Sequence, residues 1–168
     1  MSYKEKKTIV SLVTGLLILA TYCIYTLNKI QLGTAALDDL KFWATTILIF
    51  IGIGVVALIT ILIVFHILLS VTIAVKEEIQ NGEYDDKKIA KTLELDMVED
   101  EMDKLIGLKA MRISLAVVGI GFIAALVSLV LNYSPAVMLN ILFFSFGIGS
   151  MIEGFTQLYF YRRGVRNG

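Results

Sequence analysis

Between Phe42 and Val75 about 34 residues pass without one Asp, Glu, Lys or Arg, and His66 is the one histidine among them. As a helix rising ~1.5 Å per residue the run would be ~50 Å long, against ~30 Å for the hydrocarbon core of a bilayer. No small soluble core hides a segment of that length, and in lipid the backbone must satisfy its own polar groups, which a helix does. Three further long apolar runs follow: Thr8–Asn28 without a charge, Leu108–Leu131 with Lys109 and Arg112 in its first turns, and Pro135–Tyr161 with Glu153. Hydrophobic residues make up 57% of the chain and charged residues 18%, too apolar a balance for one water-soluble domain. The expected fold is therefore an all-α integral membrane protein. Residues 1–168 read as one domain with four transmembrane helices in two hairpins.

Orientation follows from the basic residues. All Lys and Arg except Lys29 and Lys41 lie in the amino-terminal tail, in the middle segment from Lys76 through Lys109 and Arg112 at the start of the third run, or after Tyr161. By the positive-inside rule those three regions face the cytoplasm, so both termini are expected inside a bacterial plasma membrane. Trp43 and Tyr133 then fall near the outer headgroups, and Tyr159, Phe160 and Tyr161 near the inner ones. The second run is longer than a span needs. The Lys76-Glu77-Glu78 sequence that follows it suggests that the helix projects into the cytoplasm.

The connection over residues 76–107 breaks at Asn81-Gly82 and then repeats apolar residues at helical spacing from Ile89 to Ile106, which predicts an amphipathic cytoplasmic helix between spans two and three. From Lys76 to Leu105 it holds 11 acidic and 5 basic residues, a net of −6. On a helix Asp96, Glu99, Asp100 and Asp103 would line one face. Such a face suits a basic soluble protein or, more weakly, a divalent cation, although the glycine turn of a calcium loop is missing. With zero net charge overall, direct nucleic-acid binding is not expected.

Glu153 interrupts the last span. A carboxylate in hydrocarbon costs at least ~2.5 kcal/mol on insertion scales, so it calls for a partner or a function. Folding the third and fourth spans about Tyr133 sets Arg112 opposite position 154, and counting inward from the span ends places His66 at a similar depth. Glu153, Arg112 and His66 are thus expected in one intramembrane layer, as a register-fixing ion pair with a nearby imidazole or as a ligand site. One histidine and one cysteine exclude multi-cysteine and paired-histidine metal sites, which leaves no metal or cofactor assigned beyond His66 as a single haem ligand. Gly147, Gly149, Ser150 and Gly154 have the spacing of close helix packing, within the monomer or across a homodimer. No nucleophile–base pattern, phosphate loop or metalloprotease helix is present, so an enzyme is not expected.

Two faint internal repeats suggest duplicated hairpins: Ile9, Val13, Gly15 and Ala20 align with Ile113, Val117, Gly119 and Ala124, and Gly52-Ile53-Gly54 with Gly147-Ile148-Gly149. The stretch from "DEMDKLI" at Asp100 through "KAMR" to "SMIEG", with "YFYRRGV" after it, resembles uncharacterised small multi-pass membrane proteins of Gram-positive bacteria, often found beside helix-turn-helix regulators. The resemblance covers the second half of the chain, implies a regulatory role and transfers no catalytic residue. Three functions follow as expectations. The first is a membrane interaction or sensor protein engaging a soluble regulator through its acidic segment. The second is a binder of a small molecule, haem or an ion at the intramembrane polar cluster, and the third is a structural subunit of a membrane complex.

Overall fold

The computed structural model describes residues 3–36, 38–81 and 100–164. They form four helices: α1 (Tyr3–Gln31), α2 (Leu40–Asn81), α3 (Glu101–Val130) and α4 (Pro135–Arg163). Each is long and apolar enough to cross a membrane. α2 continues unbroken past Val75 to Asn81, a helix of 42 residues and ~63 Å. Of the amphipathic stretch expected to run as far as Ile106, the part before Asp100, with Asp96 and Glu99, lies outside the described residues.

Local chemistry sets the helix ends. α1 closes in a Schellman motif: Gly33 adopts φ +66, its N–H donates to the Ile30 carbonyl at 3.0 Å, and Thr34 N–H donates to Lys29 at 3.1 Å. The same motif ends α3, where Asn132 takes the left-handed position at φ +61 and Tyr133 N–H reaches the Ser128 carbonyl at 3.0 Å. Pro135 then opens α4, at a position where its missing N–H costs nothing. Asp39 caps α2 by accepting from Phe42 N–H at 2.9 Å. Trp43, expected at the interface, is buried, and its Nε1–H donates to the Ala36 carbonyl at 3.1 Å.

Within the helices, polar side chains are satisfied by their own backbone. Thr8, Thr14, Thr21 and Thr26 each donate a hydroxyl to the carbonyl four residues back, at 2.7 to 2.9 Å. Ser145 does the same to Ile141 at 2.6 Å. This lets small polar residues turn inward without an unmet hydrogen bond. The buried positions of α3 are Ile106, Ala110, Ser114, Ala125 and Ser128, and those of α4 are Ala136, Ser145, Gly149 and Gly154. Leu48, Val56, Ile67, Leu115, Ile120, Ile123 and Val130 are exposed. The interior is small and the periphery is large and apolar, the reverse of a soluble bundle.

α4 is the central helix, packed against the other three, and its seam with α3 is the most extensive. That seam depends on missing side chains. A Cβ on Gly121 would collide with the Cβ and Oγ of Ser145, and one on Gly149 would come within 2.9 Å of Val118 Cγ2. On its other face α4 runs antiparallel to α1. A step of seven along α1, from Leu12 to Leu19, is matched by a step of seven back along α4, from Gly154 to Gly147. Cβ atoms on those glycines would lie 2.6 and 2.7 Å from the leucine methyls. At one end of this seam Tyr22 is fully buried among Phe50, Phe143 and Phe144, and its hydroxyl donates to Asn140 Oδ1 at 2.6 Å.

Candidate functional site

α2 meets the α1–α4 seam through Trp43, Thr46 and Phe50, all buried, and beyond Phe50 it draws away. Phe50 closes edge-on against Tyr22 with ring centroids 5.2 Å apart, which ties α2 to the seam. The residues of α2 that follow at helical spacing, Gly54, Leu58 and His66, look into the space left behind. The result is a groove of about 1070 Å³ between α1, α2 and α4. Its middle is lined by Gly15 and Ile18 from α1, Gly54 and Leu58 from α2, and Phe143, Phe146 and Gly147 from α4. Its far end is polar: Lys4, Lys7, Thr8 and Ser11 from the first turns of α1, Asp103 from α3, and Ser150, Glu153, Gln157 and Tyr161 from α4.

Glu153 is half-buried in this wall. Its Oε1 accepts from the Gln157 amide one turn on, at 3.4 Å, and Gln157 Oε1 lies 3.4 Å from the Thr8 hydroxyl. Both contacts are long, so the amide orients the carboxylate loosely. His66 is also half-buried and lines the same groove. The two were expected at one depth, but the packing register separates them. Gly54 stands against Ile18 and Gly147 against Leu19, which makes these positions level. His66 is twelve residues beyond its reference position and Glu153 six, so His66 sits ~9 Å nearer the Lys4 end.

Arg112 does not join them. The expected height is right, because Gly121 meets Ser145 and Gly149 meets Ser114, which leaves Arg112 near the level of residue 154. The direction is not. Ala110, Ser114, Val118 and Gly121 form the stripe of α3 that faces α4, and Arg112 lies ~200° around the helix from Ala110. Its side chain is exposed and lines no part of the groove. Among the described residues the ion pairs are Lys4–Asp103 and Glu5–Arg162, the latter at 3.7 Å.

Of the four acidic positions, Asp100 and Asp103 are described, and they meet at a helix start rather than on a helix face: Asp100 has an extended backbone, φ −80 and ψ 173, and is the N-cap of α3. Asp103 N–H donates to Asp100 Oδ1 at 2.7 Å while Asp100 N–H donates to Asp103 Oδ2 at 3.1 Å, a reciprocal capping box. Asp103 also accepts from Lys4 Nζ, which ties the start of α3 to the start of α1. The aspartates three apart before an apolar run were a readable helix-start signal. Gln157, four residues after Glu153, was legible as a partner by helical spacing, as was Asn140, a polar residue set in an apolar span. Gly147 and Gly154 face α1, Gly149 faces α3, and Ser150 is exposed on the groove. Among the described residues no group of three or more His, Cys, Asp or Glu side chains gathers as a metal site.

Comparison with protein families, curated protein sequences and solved structures gives no match. Function therefore has to be argued from the groove itself.

Proposed function

We propose that this chain is a non-enzymatic integral membrane protein that holds a small, largely apolar molecule in the groove between α1, α2 and α4. The observation that carries the reading is that groove: about 1070 Å³, apolar through its middle and polar at one end, with the half-buried carboxylate of Glu153 in its wall. Binding sites for small molecules have this make-up, a cavity of ~300–1,000 Å³ with few polar groups on an apolar lining. Membrane insertion is supported by the four long apolar helices and by the outward placement of their large side chains. In the proposed topology two hairpins cross the bilayer of a bacterial plasma membrane, with both termini and the connection between α2 and α3 in the cytoplasm.

Engagement of a basic soluble regulator by the acidic segment is the weaker reading. Two of the four carboxylates of the expected acidic face, Asp100 and Asp103, are taken up in closing α3, and Asp103 holds Lys4 as well.

The test is native mass spectrometry of the protein released gently from membranes, beside the variant Gly15→Phe. Gly15 lines the groove, and a Cβ there would meet nothing within 4 Å, so the phenyl ring fills the space without disturbing the helices. One small molecule retained per chain in the wild type and lost in the variant is the expected result. A bare wild-type protein, or equal retention by both, overturns the reading.

A further inference from the structure

The carboxylate in the groove wall restricts what can lie beside it. Glu153 is half-buried, and its donor among the described residues is a neutral amide at 3.4 Å. Among the described residues, three cations near this end of the fold are engaged or turned away. Lys4 is held by Asp103, Arg162 approaches Glu5, and Arg112 is exposed on the far side of α3. Lys7 and His66 do line the groove, but the register that sets Leu12 against Gly154 leaves each ~9–10 Å along the axis from Glu153. A carboxylate removed from water favours a counter-charge close by.

We infer that Glu153 is the counter-ion for a lipophilic cation, an amine or onium group carried on an apolar or aromatic body that lies in the groove. This rests on the groove being a binding site and adds the charge of its occupant. A neutral molecule leaves the carboxylate without a counter-charge, and an anion is repelled by it. Phe143 and Phe146 line the groove about two to three turns from Glu153 on the same helix and offer apolar surface to the body of such a molecule.

The experiment uses the full chain in lipid nanodiscs, with empty discs as background, and two probes of similar size: tetraphenylphosphonium, permanently charged, and triphenylphosphine oxide, neutral. Saturable binding of the cation at least tenfold tighter than the oxide is expected. Glu153→Gln should bring the cation down to the affinity of the oxide and leave the oxide unchanged, with an unaltered melting temperature. Glu153→Asp, which keeps the charge on a shorter arm, should retain part of the preference, and this separates loss of charge from a folding defect. Equal affinity for the two probes, or a cation affinity indifferent to Glu153→Gln, overturns the counter-ion while the groove remains a site. Failure of both probes to bind saturably overturns the counter-ion, and if the wild type is also bare by native mass spectrometry the groove reading falls with it.

Discussion

α2 and α4 each carry Gly-Ile-Gly within a long apolar helix, at Gly52–Gly54 and Gly147–Gly149, and the two tripeptides have different surroundings. On α4 a Cβ at Gly147 would press into Leu19, and one at Gly149 would meet Val118 and the Ser114 carbonyl, the latter at 3.3 Å. On α2 a Cβ at Gly52 would meet nothing within 4 Å, and one at Gly54 would make only an ordinary contact, 3.6 Å from Ile18. A small residue permits close approach but does not cause it. α4 draws α1 and α3 in because small residues occupy two of its faces at once. α2 offers one short inward stripe, Trp43 to Phe50, and then leaves the groove open. If the repeat reflects duplication, one copy became the packing centre and the other became the wall of a cavity.

The comparison breaks most readily at its glycines. Gly149→Leu should destabilise the protein by about 3 kcal/mol, the upper part of the usual overpacking range, because a backbone carbonyl and a β-branched neighbour cannot both move aside. Gly52→Leu should change stability by less than about 0.5 kcal/mol, as a surface substitution does. Reversible unfolding in mixed micelles measures both, and equal losses would remove the distinction between the helices. Gly121→Ala beside Gly119→Ala repeats the contrast within α3. The first collides with Ser145, whereas the second meets open space and gains helix propensity.

Next in size is the junction of α1, α2 and α4. Tyr22→Phe keeps the ring among Phe50, Phe143 and Phe144 but removes the 2.6 Å bond to Asn140. Asn140 Oδ1 then loses its partner while its amide still donates to Ala136 at 2.8 Å. Bonds between membrane helices average ~0.6 kcal/mol and reach ~1.7, and a buried, short one should fall toward the upper figure. A double-mutant cycle with Asn140→Ala isolates it, and a coupling below about 0.3 kcal/mol would mean the pair is incidental to the junction.

The helix ends contribute less. Asp100→Ala should cost about 1 kcal/mol as a lost N-cap. Lys4→Gln should cost up to about 1 kcal/mol, since both side chains of its pair with Asp103 keep some contact with solvent. The two losses are told apart by salt. Raising ionic strength weakens the Lys4 contribution and leaves the Asp100 cap nearly unchanged. A salt-independent Lys4→Gln effect would show that the lysine stem, not its charge, holds α1 to α3.

What the sequence made legible was whatever depends on composition and rise along an axis. The four helices, the lengthening of α2 past Val75 and the turn at Asn132–Pro135 all follow from run lengths, a left-handed-tolerant residue and a proline. What it hid depends on rotation about the axis and on partners far along the chain. The cluster of Asp100 and Asp103 looked like part of a helical face, and capping chemistry turned it into a helix start. Nothing local to Tyr22 announces Asn140, which is 118 positions away. The groove is a property of α2 leaving the seam, and no single segment encodes that departure.

Arg112 and Glu153 give the smallest expected effect and the sharpest test of that distinction between height and direction. Counting residues from the turn makes them level, and the observed register of α3 on α4 agrees. Counting ~100° per residue separates them, because Arg112 stands two residues from both Ala110 and Ser114 on the stripe that α4 covers. Its side chain is exposed on the outer surface of α3. In a cycle of Arg112→Ala and Glu153→Ala the losses should therefore add, with a coupling within about 0.3 kcal/mol of zero. The Lys4–Asp103 cycle, measured in the same micelles, supplies the positive control. A coupling of about 1 kcal/mol or more between Arg112 and Glu153 would mean that α3 is turned about its axis by about half a revolution. Such a turn would displace the Gly121–Ser145 and Ser114–Gly149 contacts, so Gly149→Leu would then be tolerated.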